Sequence, residues 1–344
     1  MSDSDVVRAV VCTSLDGEDG LEVREDWPGP GPCGPRQVRI DVRAASVNFP
    51  DVLITRGLYQ LRKDPPFVLG NEAAGVISEV GAEVEGLAVG DRVLTLTGVG
   101  AFTSQLLVTP PMQQVHRLPD DMPFADGAAF DLTYGTAGHG LLDRGRVQPG
   151  ESVLINGAAG GCGSAAVQIA KAAGASVVAV AGGPAKVAVA TAMGADEVID
   201  HTELAGDRAL STRVKEVTDG RGVDVVFDNV GGDVRDLLRC LAWNGRFLVV
   251  GFAGGEVPNL PLNLTVLRSV SAVGVAYGAS AIRDPDGNAR LFRQLFDWYE
   301  EGKLCPHIGD RFDLADAADA VRTMHDRRAL GKIVIEVDRP DDVA

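Results

Sequence analysis

A chain of 344 residues is long enough for two domains rather than one. Its formal net charge of −16 excludes the basic surface that nucleic acid or an anionic membrane requires, and it obliges any polyanionic ligand to be held by local donors. Five cysteines (Cys12, Cys33, Cys162, Cys240, Cys305) stand singly, which builds neither a disulfide framework nor a thiolate zinc cage and points to a reducing compartment.

In chain order, Met1 to Asp5 is acidic and polar and does not read as a leader, and no apolar run approaches the ~20 residues of a membrane span. A cytoplasmic protein is expected. Val6 to Val11 reads as a short strand. The run from Pro28 to Pro35 alternates proline with glycine and can be neither helix nor central strand. Next comes a period-2 segment, with Val38, Ile40, Val42 and Ala44 on one face and Gln37, Arg39, Asp41 and Arg43 on the other. Gly75 to Gly81 and Asp91 to Leu96 are further short strands. Roughly the first 120 residues therefore read as a β-rich barrel or sandwich.

From Asp126 the pattern turns helical, over Ala128 to Leu142. The turn Gln148-Pro149-Gly150-Glu151 then delivers the chain to an apolar run ending at Asn156. Gly157, Gly160, Gly161 and Gly163 follow, and an Ala-rich helix continues to Ala173. Glycines at 157, 160 and 163 suit a tight turn, a close approach of backbone to pyrophosphate, and helix-on-strand packing. The helix N-terminus offers amide N–H groups to an anion. A glycine triplet alone is equally what a tight turn between a buried strand and a helix carries. Ser176 to Ala181 completes a strand–helix–strand unit. A site for NAD would place Asp or Glu at the end of this second strand, on the ribose 2′-hydroxyl. The chain reads Gly182-Gly183-Pro184-Ala185-Lys186 instead, which favours NADPH with Lys186 against the 2′-phosphate; Lys186 also reads as an ordinary solvated first-turn lysine.

Helix and strand then alternate: Lys186 to Met193, Glu197 to Asp200, Ala209 to Val217, Val223 to Asp228, Leu237 to Trp243 (helical), Arg246 to Val250, and a sixth strand within Ser269 to Ala276. This rhythm predicts a doubly wound parallel sheet of the Rossmann type. The apolar stripes of Leu291, Phe292, Leu295 and Trp298, and of Leu314 to His325, predict amphipathic helices, and Lys332 to Val337 a last strand. The whole tail is expected to return to the β-rich domain. The predicted division is 1–125 with 280–344 as the β-rich catalytic domain, and 126–279 as the nucleotide-binding domain.

This order resembles the medium-chain dehydrogenases, and the motifs are similar to those of their zinc-independent quinone oxidoreductase branch, which includes ζ-crystallin. The segments that carry the resemblance are Val47-Asn48-Phe49-Pro50-Asp51, Gly57-Leu58-Tyr59-Gln60, Leu69 to Gly75, Val89 to Val93, Thr133 to Ala137, the glycine turn, and Phe227 to Gly232. The resemblance implies a GroES-like barrel beside the Rossmann domain. Zinc-using relatives have metal ligands at positions matched here by Asn48, Asn71 and Leu132; neutral amides are poor zinc ligands and Leu is none, so no metal is expected. Without metal, hydride must reach an already electrophilic carbon, that of a quinone or an α,β-unsaturated carbonyl. The protein then supplies positioning and donors to the developing enolate or phenolate. The Asn48 amide and the Tyr59 hydroxyl are the candidates, with Asp51 as a support for Asn48. Asn48 also reads as a turn-stabilising side chain, and Tyr59 as an aromatic lid.

For the cofactor, the resemblance implies Thr136, Asn229, Gly251 and Phe252 on the nicotinamide half. His201 stands where relatives often have a Tyr beside adenine, and Gly183 departs from the Ser common in NADPH binders. A homodimer through the edge strand near Val273 to Tyr277 is implied as well. Two Tyr-x-x-x-Lys spacings, Tyr59 to Lys63 and Tyr299 to Lys303, would suit a short-chain dehydrogenase. One precedes the nucleotide fold and the other spans Gly302, so neither sits where that mechanism needs it. The remaining alternatives are a 2-alkenal or enoyl-thioester reductase of the same fold and a non-catalytic NADPH-binding protein.

Overall fold

The computed structural model describes residues 6–337, so Met1 to Asp5 and the chain end after Val337, on which the leader and the last few residues of the domain division fall, lie outside the described residues. The chain forms two compact units. One runs up to Leu132 and takes in Ala281–Pro285 and the residues from Ile308 onward; the other comprises Thr133–Ser280 and Asp286–His307.

The first unit is organised on the strand Val38–Val47, whose apolar residues alternate inward as the period-2 pattern predicts. It pairs antiparallel with Glu72–Val80, with Gln105–Val108 and, at its C-terminal end, with Lys332–Glu336. The resulting seven-stranded sheet also contains Arg92–Leu96, Gln114–Arg117 and Ile308–Asp313. A second sheet of three strands holds Val6–Cys12 between Leu21–Pro28 and Phe67–Val68. Val38, Ile40, Val42, Phe67, Phe102 and Ile335 belong to one buried core. Strands far apart in sequence, Val38–Val47 and Lys332–Glu336, thus lie side by side in one sheet.

The second unit carries a six-stranded parallel sheet in the order Glu197–Asp200, Ser176–Ala181, Ser152–Asn156, Val223–Asp228, Leu241–Val249, Ser271–Gly274. Starting from Ser152–Asn156 and stepping outward both ways is the doubly wound arrangement, with its reversal point beside the first strand.

Four expectations need correction. The helix expected over Ala128 to Leu142 is three pieces, Phe124–Ala128, Asp131–Gly138 and a π-helical turn at His139–Arg144. Its glycines are packing surfaces: a Cβ on Gly135 would lie 2.3 Å from the Tyr277 ring, and one on Gly140 2.9 Å from Phe227. The segment up to Leu132 belongs to the first unit, so the division does not fall at 126. Leu241 to Trp243 is strand rather than helix; the helix Val234–Cys240 stops where Leu241 pairs with Val223. Lastly, the helix Pro285–Glu300 belongs almost wholly to the second unit, because its buried Leu291 and Leu295 sit over Gly138, where a β-carbon would lie 3.0 Å from Leu291.

Candidate active site

The chemistry-bearing residues fall into two groups, one in each unit. In the second unit the turn after Ser152–Asn156 leads into the helix Gly161–Ala172. The first i→i−4 bond of this helix is Ser164 N–H to Gly160 C=O at 2.8 Å, so the amides of Gly161, Cys162 and Gly163 precede the hydrogen-bonded ladder. Two glycines are dictated by space. A Cβ on Gly163 would come within 2.1 Å of the Gly157 carbonyl oxygen, and Gly157 itself has φ +78° with Asn229 Oδ1 2.6 Å from where its Cβ would stand. Gly160 has open space on that side, its nearest neighbour being 3.7 Å away. That is a cradle of backbone amides and small residues, and it suits a pyrophosphate.

Asn229 therefore lies beside Gly157, and Gly251 and Phe252 join it. Gly251 N–H donates to Asp228 C=O, a Cβ on Gly251 would be 3.3 Å from Asn229 O, and one on Gly231 would be 3.6 Å from the Phe252 ring. This cluster stands at the carboxyl ends of the central strands, where doubly wound sheets take ligands. Beneath it Asp228 accepts from Asn156 Nδ2 (2.9 Å), Gly231 N–H (3.0 Å) and Val230 N–H (3.1 Å), and burial raises its carboxyl above the ordinary range. Thr136 is half-buried in the helix Asp131–Gly138 of the same unit.

At the end of the neighbouring strand, Lys186 sits in the first turn of the helix Pro184–Ala192. The His201 ring lies over Gly182, with Nε2 2.5 Å from where a Cβ would stand. Sequence reading missed Asp200. Its Oδ1 accepts from Gly183 N–H (3.0 Å) and from Thr202 N–H (2.9 Å) and Oγ1 (2.7 Å), bonds that hold its carboxyl below the usual range. A carboxylate is thus present at this turn after all, supplied by the adjacent strand. A pairing between strands, rather than a spacing in sequence, brings it there.

In the first unit the strand Val38–Val47 ends at Asn48, which caps the helix Phe49–Ile54. Asp51, fully buried, reaches back with Oδ2 to accept Asn48 N–H at 2.7 Å. Its other oxygen has no hydrogen-bond partner. Burial pushes this carboxyl up to about 7, against the opposing pull of the Asn48 N–H and the Lys332 charge. Tyr59 is half-buried against the same core, and burial together with the Asp51 charge raises its phenol.

Two residues that sequence reading passed over dominate this centre. Lys332, 2% exposed, donates from Nζ to Asn48 Oδ1 at 2.6 Å and to Glu72 Oε1 at 2.7 Å. Glu72 Oε1 also receives Ser46 Oγ (2.7 Å) and Asn48 Nδ2 (2.8 Å), while Oε2 accepts Leu132 N–H at 2.9 Å. The second Asn48 Nδ2 hydrogen goes to the Ser46 carbonyl at 3.2 Å. In the sequence Glu72 stands only within the stretch Leu69 to Gly75, and Lys332 only at the start of the last strand.

This centre does not fit zinc. Asn48 Oδ1 is engaged by an ammonium, Leu132 contributes only its N–H, and a divalent cation would face the buried charge of Lys332. Among the described residues no three His, Cys, Asp or Glu side chains converge as metal ligands, and no helix is long and apolar enough to cross a membrane.

One chain that carries both a GroES-like sheet domain and a doubly wound sheet with a glycine-lined turn defines an oxidoreductase of the medium-chain dehydrogenase/reductase fold. Family models agree: residues 34–120 match the alcohol dehydrogenase GroES-like domain and residues 161–295 the zinc-binding dehydrogenase domain. Quinone oxidoreductase-like protein 2 homolog of Nematostella vectensis is 36% identical over 330 residues, 95% of this chain and 88% of that one. The crystal structure of a Pseudomonas syringae quinone oxidoreductase is 33% identical with a TM-score of 0.85, covering 96% of this chain and all (100%) of the other. The Escherichia coli quinone oxidoreductase complexed with NADPH is 28% identical with a TM-score of 0.85, covering 96% and 99%. The chain belongs to the quinone oxidoreductase branch of the medium-chain dehydrogenase/reductase superfamily.

Proposed function

We propose that the protein is an NADPH-dependent reductase of quinones or α,β-unsaturated carbonyl compounds that works without a metal ion, as a cytoplasmic homodimer. The observation that carries this reading is the glycine turn, whose helix-leading amides and neighbouring Asn229, Gly251 and Phe252 form one cradle at the carboxyl ends of the parallel strands. NADPH in the related E. coli structure supports the same occupant here. When bound, the reduced nicotinamide supplies the hydride.

The chain's own residues then have separate tasks. The amides of Gly161, Cys162 and Gly163 take the pyrophosphate, and Lys186 and His201 take the adenosine half with its 2′-phosphate. Thr136, Asn229, Gly251 and Phe252 orient the nicotinamide half. In a conjugated acceptor the arriving negative charge spreads onto oxygen, so a hydrogen-bond donor there lowers the barrier. Asn48 supplies it by yielding its longer bond, the 3.2 Å contact to Ser46 O, and Tyr59 O–H is the second donor. Asp51 holds the Asn48 backbone in place, and solvent delivers the second proton. The strand Ser271–Gly274 ends its sheet, and Leu262, Val266 and Leu267 of the helix that precedes it in sequence are exposed, which supports pairing of two copies there.

Stopped-flow oxidation of NADPH and NADH against a panel of quinones, alkenals and enoyl thioesters tests the reading. Rapid turnover with NADPH on one acceptor class is expected. Tight NADPH binding without turnover on any acceptor would instead favour a binding protein, and preference for the thioesters an enoyl reductase.

A further inference from the structure

Only one orientation of the Asn48 amide satisfies both of its charged partners. An ammonium has three donors and no acceptor, so the atom meeting Lys332 Nζ at 2.6 Å must be Oδ1. An ionised carboxylate only accepts, so the atom meeting Glu72 Oε1 at 2.8 Å must be Nδ2. A flipped amide would set NH₂ against the ammonium and C=O against the carboxylate. Glu72 is itself immobilised, because its Oε1 receives Ser46, Asn48 and Lys332 together while its Oε2 holds Leu132 N–H. Lys332 reaches the amide from a strand 284 positions later, through the pairing of Ile333 with Val47 that sets the two chain segments side by side.

We propose that Lys332 is a positioning residue for the reduction: by holding Asn48 Oδ1 it keeps the amide NH₂ facing away from the ammonium and polarised, ready to transfer one N–H from Ser46 O to the substrate oxygen as charge arrives. This rests on the reading above that Asn48 is a donor to substrate. The bond to Oδ1 does two things at once. It fixes which end of the amide is the donor, and it withdraws electron density through the conjugated C–N bond, which strengthens the remaining N–H donors. Of the two acceptors on Nδ2, the carboxylate at 2.8 Å is the stronger, so the carbonyl at 3.2 Å is the one exchanged.

The test compares the parent with Lys332→Met, Lys332→Arg, Asn48→Ala and the Asn48→Ala/Lys332→Met pair, using NADPH, NADPH deuterated at the transferred position, and the best acceptor of the panel. Lys332→Met is expected to lower kcat on the order of 100-fold, the cost of one misplaced donor at a developing oxyanion. KM and NADPH affinity should stay within about threefold, and the deuterium effect on kcat should not shrink. Arg, which keeps a donor for Oδ1, should recover at least a tenfold part of the loss. Because Lys332 acts through Asn48, Lys332→Met should slow the Asn48→Ala enzyme by no more than about twofold. A purely structural lysine gives the opposite result: folded Lys332→Met with kcat within threefold of the parent, or the same large loss in both backgrounds, overturns the proposal. Should Lys332→Met not fold, Glu72→Gln/Lys332→Met removes both buried charges together and is read by the same criteria. A parent that binds NADPH yet reduces no acceptor overturns the functional reading itself, separately from these comparisons.

Discussion

The glycine cradle and the Asn48 centre both offer groups to charge in a protein of net charge −16, with opposite materials. The cradle uses backbone. Its donors are amides at a helix start, its shape comes from missing β-carbons, and all of it lies within a short contiguous stretch plus the strand ends next to it. The Asn48 centre uses buried side chains, with Ser46, Asn48, Asp51, Glu72 and Lys332 drawn from three strands and a helix cap. Among the standard residues only proline removes a backbone donor, but at Gly157 and Gly163 the cradle tolerates no added bulk. Buried charges add little net stability when paired and cost heavily when one partner is lost.

That contrast orders the expected effects. Glu72→Ala leaves the Lys332 ammonium enclosed and uncompensated, and should cost about 3–5 kcal/mol in urea unfolding; a loss under 1 kcal/mol would mean water reaches the pair. Gly163→Ala sets a methyl against the Gly157 carbonyl, where no flexible side chain can yield, and should cost about 1–3 kcal/mol together with nucleotide binding. Wild-type affinity in that variant would remove the turn from the site.

Asp51 predicts a pH effect. Its carboxyl is raised from an unfolded value near 4 to about 7 in the fold, so between those values the folded state holds a proton that the unfolded state releases. Stability should therefore be fullest at the acid end of this window and fall as pH rises through 7, with a slope of up to about 1.4 kcal/mol per unit from this group. Asp51→Asn should flatten that decline in denaturant midpoints taken across the window; an unchanged slope sinks the assignment. The smallest effect is expected at the rim of the cradle. Lys186→Ala should weaken NADPH about tenfold, as for one charge-assisted contact, while leaving NADH unchanged. Equal affinity for NADPH in parent and variant would exclude Lys186 from the 2′-phosphate site.

The same contrast explains what could be read in advance. Gly157, Gly160 and Gly163 were legible because the turn they make is local. The alternation of strand and helix after Asn156 announced a doubly wound sheet for the same reason, and Val38 to Ala44 declared its buried face by period alone. Boundaries were weaker where local propensity met a tertiary demand. Leu241 to Trp243 joined the sheet by pairing with its neighbour, and the glycines after Asp131 serve packing, with Tyr277, Leu291 and Phe227 against Gly135, Gly138 and Gly140. Asp200 escaped notice because a parallel pairing, not a spacing, places it against Gly183.

By itself the sequence determined the two kinds of fold, the order of most strands along the chain and the place of the glycine turn, since each follows from periodicity or from glycines acting over a few residues. Only the tertiary structure decided that the helix Pro285–Glu300 leaves the β-rich unit, and that Lys332 and Glu72 lock the Asn48 amide in one orientation. No local pattern encodes an ammonium meeting an amide across 284 positions; it exists because the last strand pairs with the one that ends at Asn48.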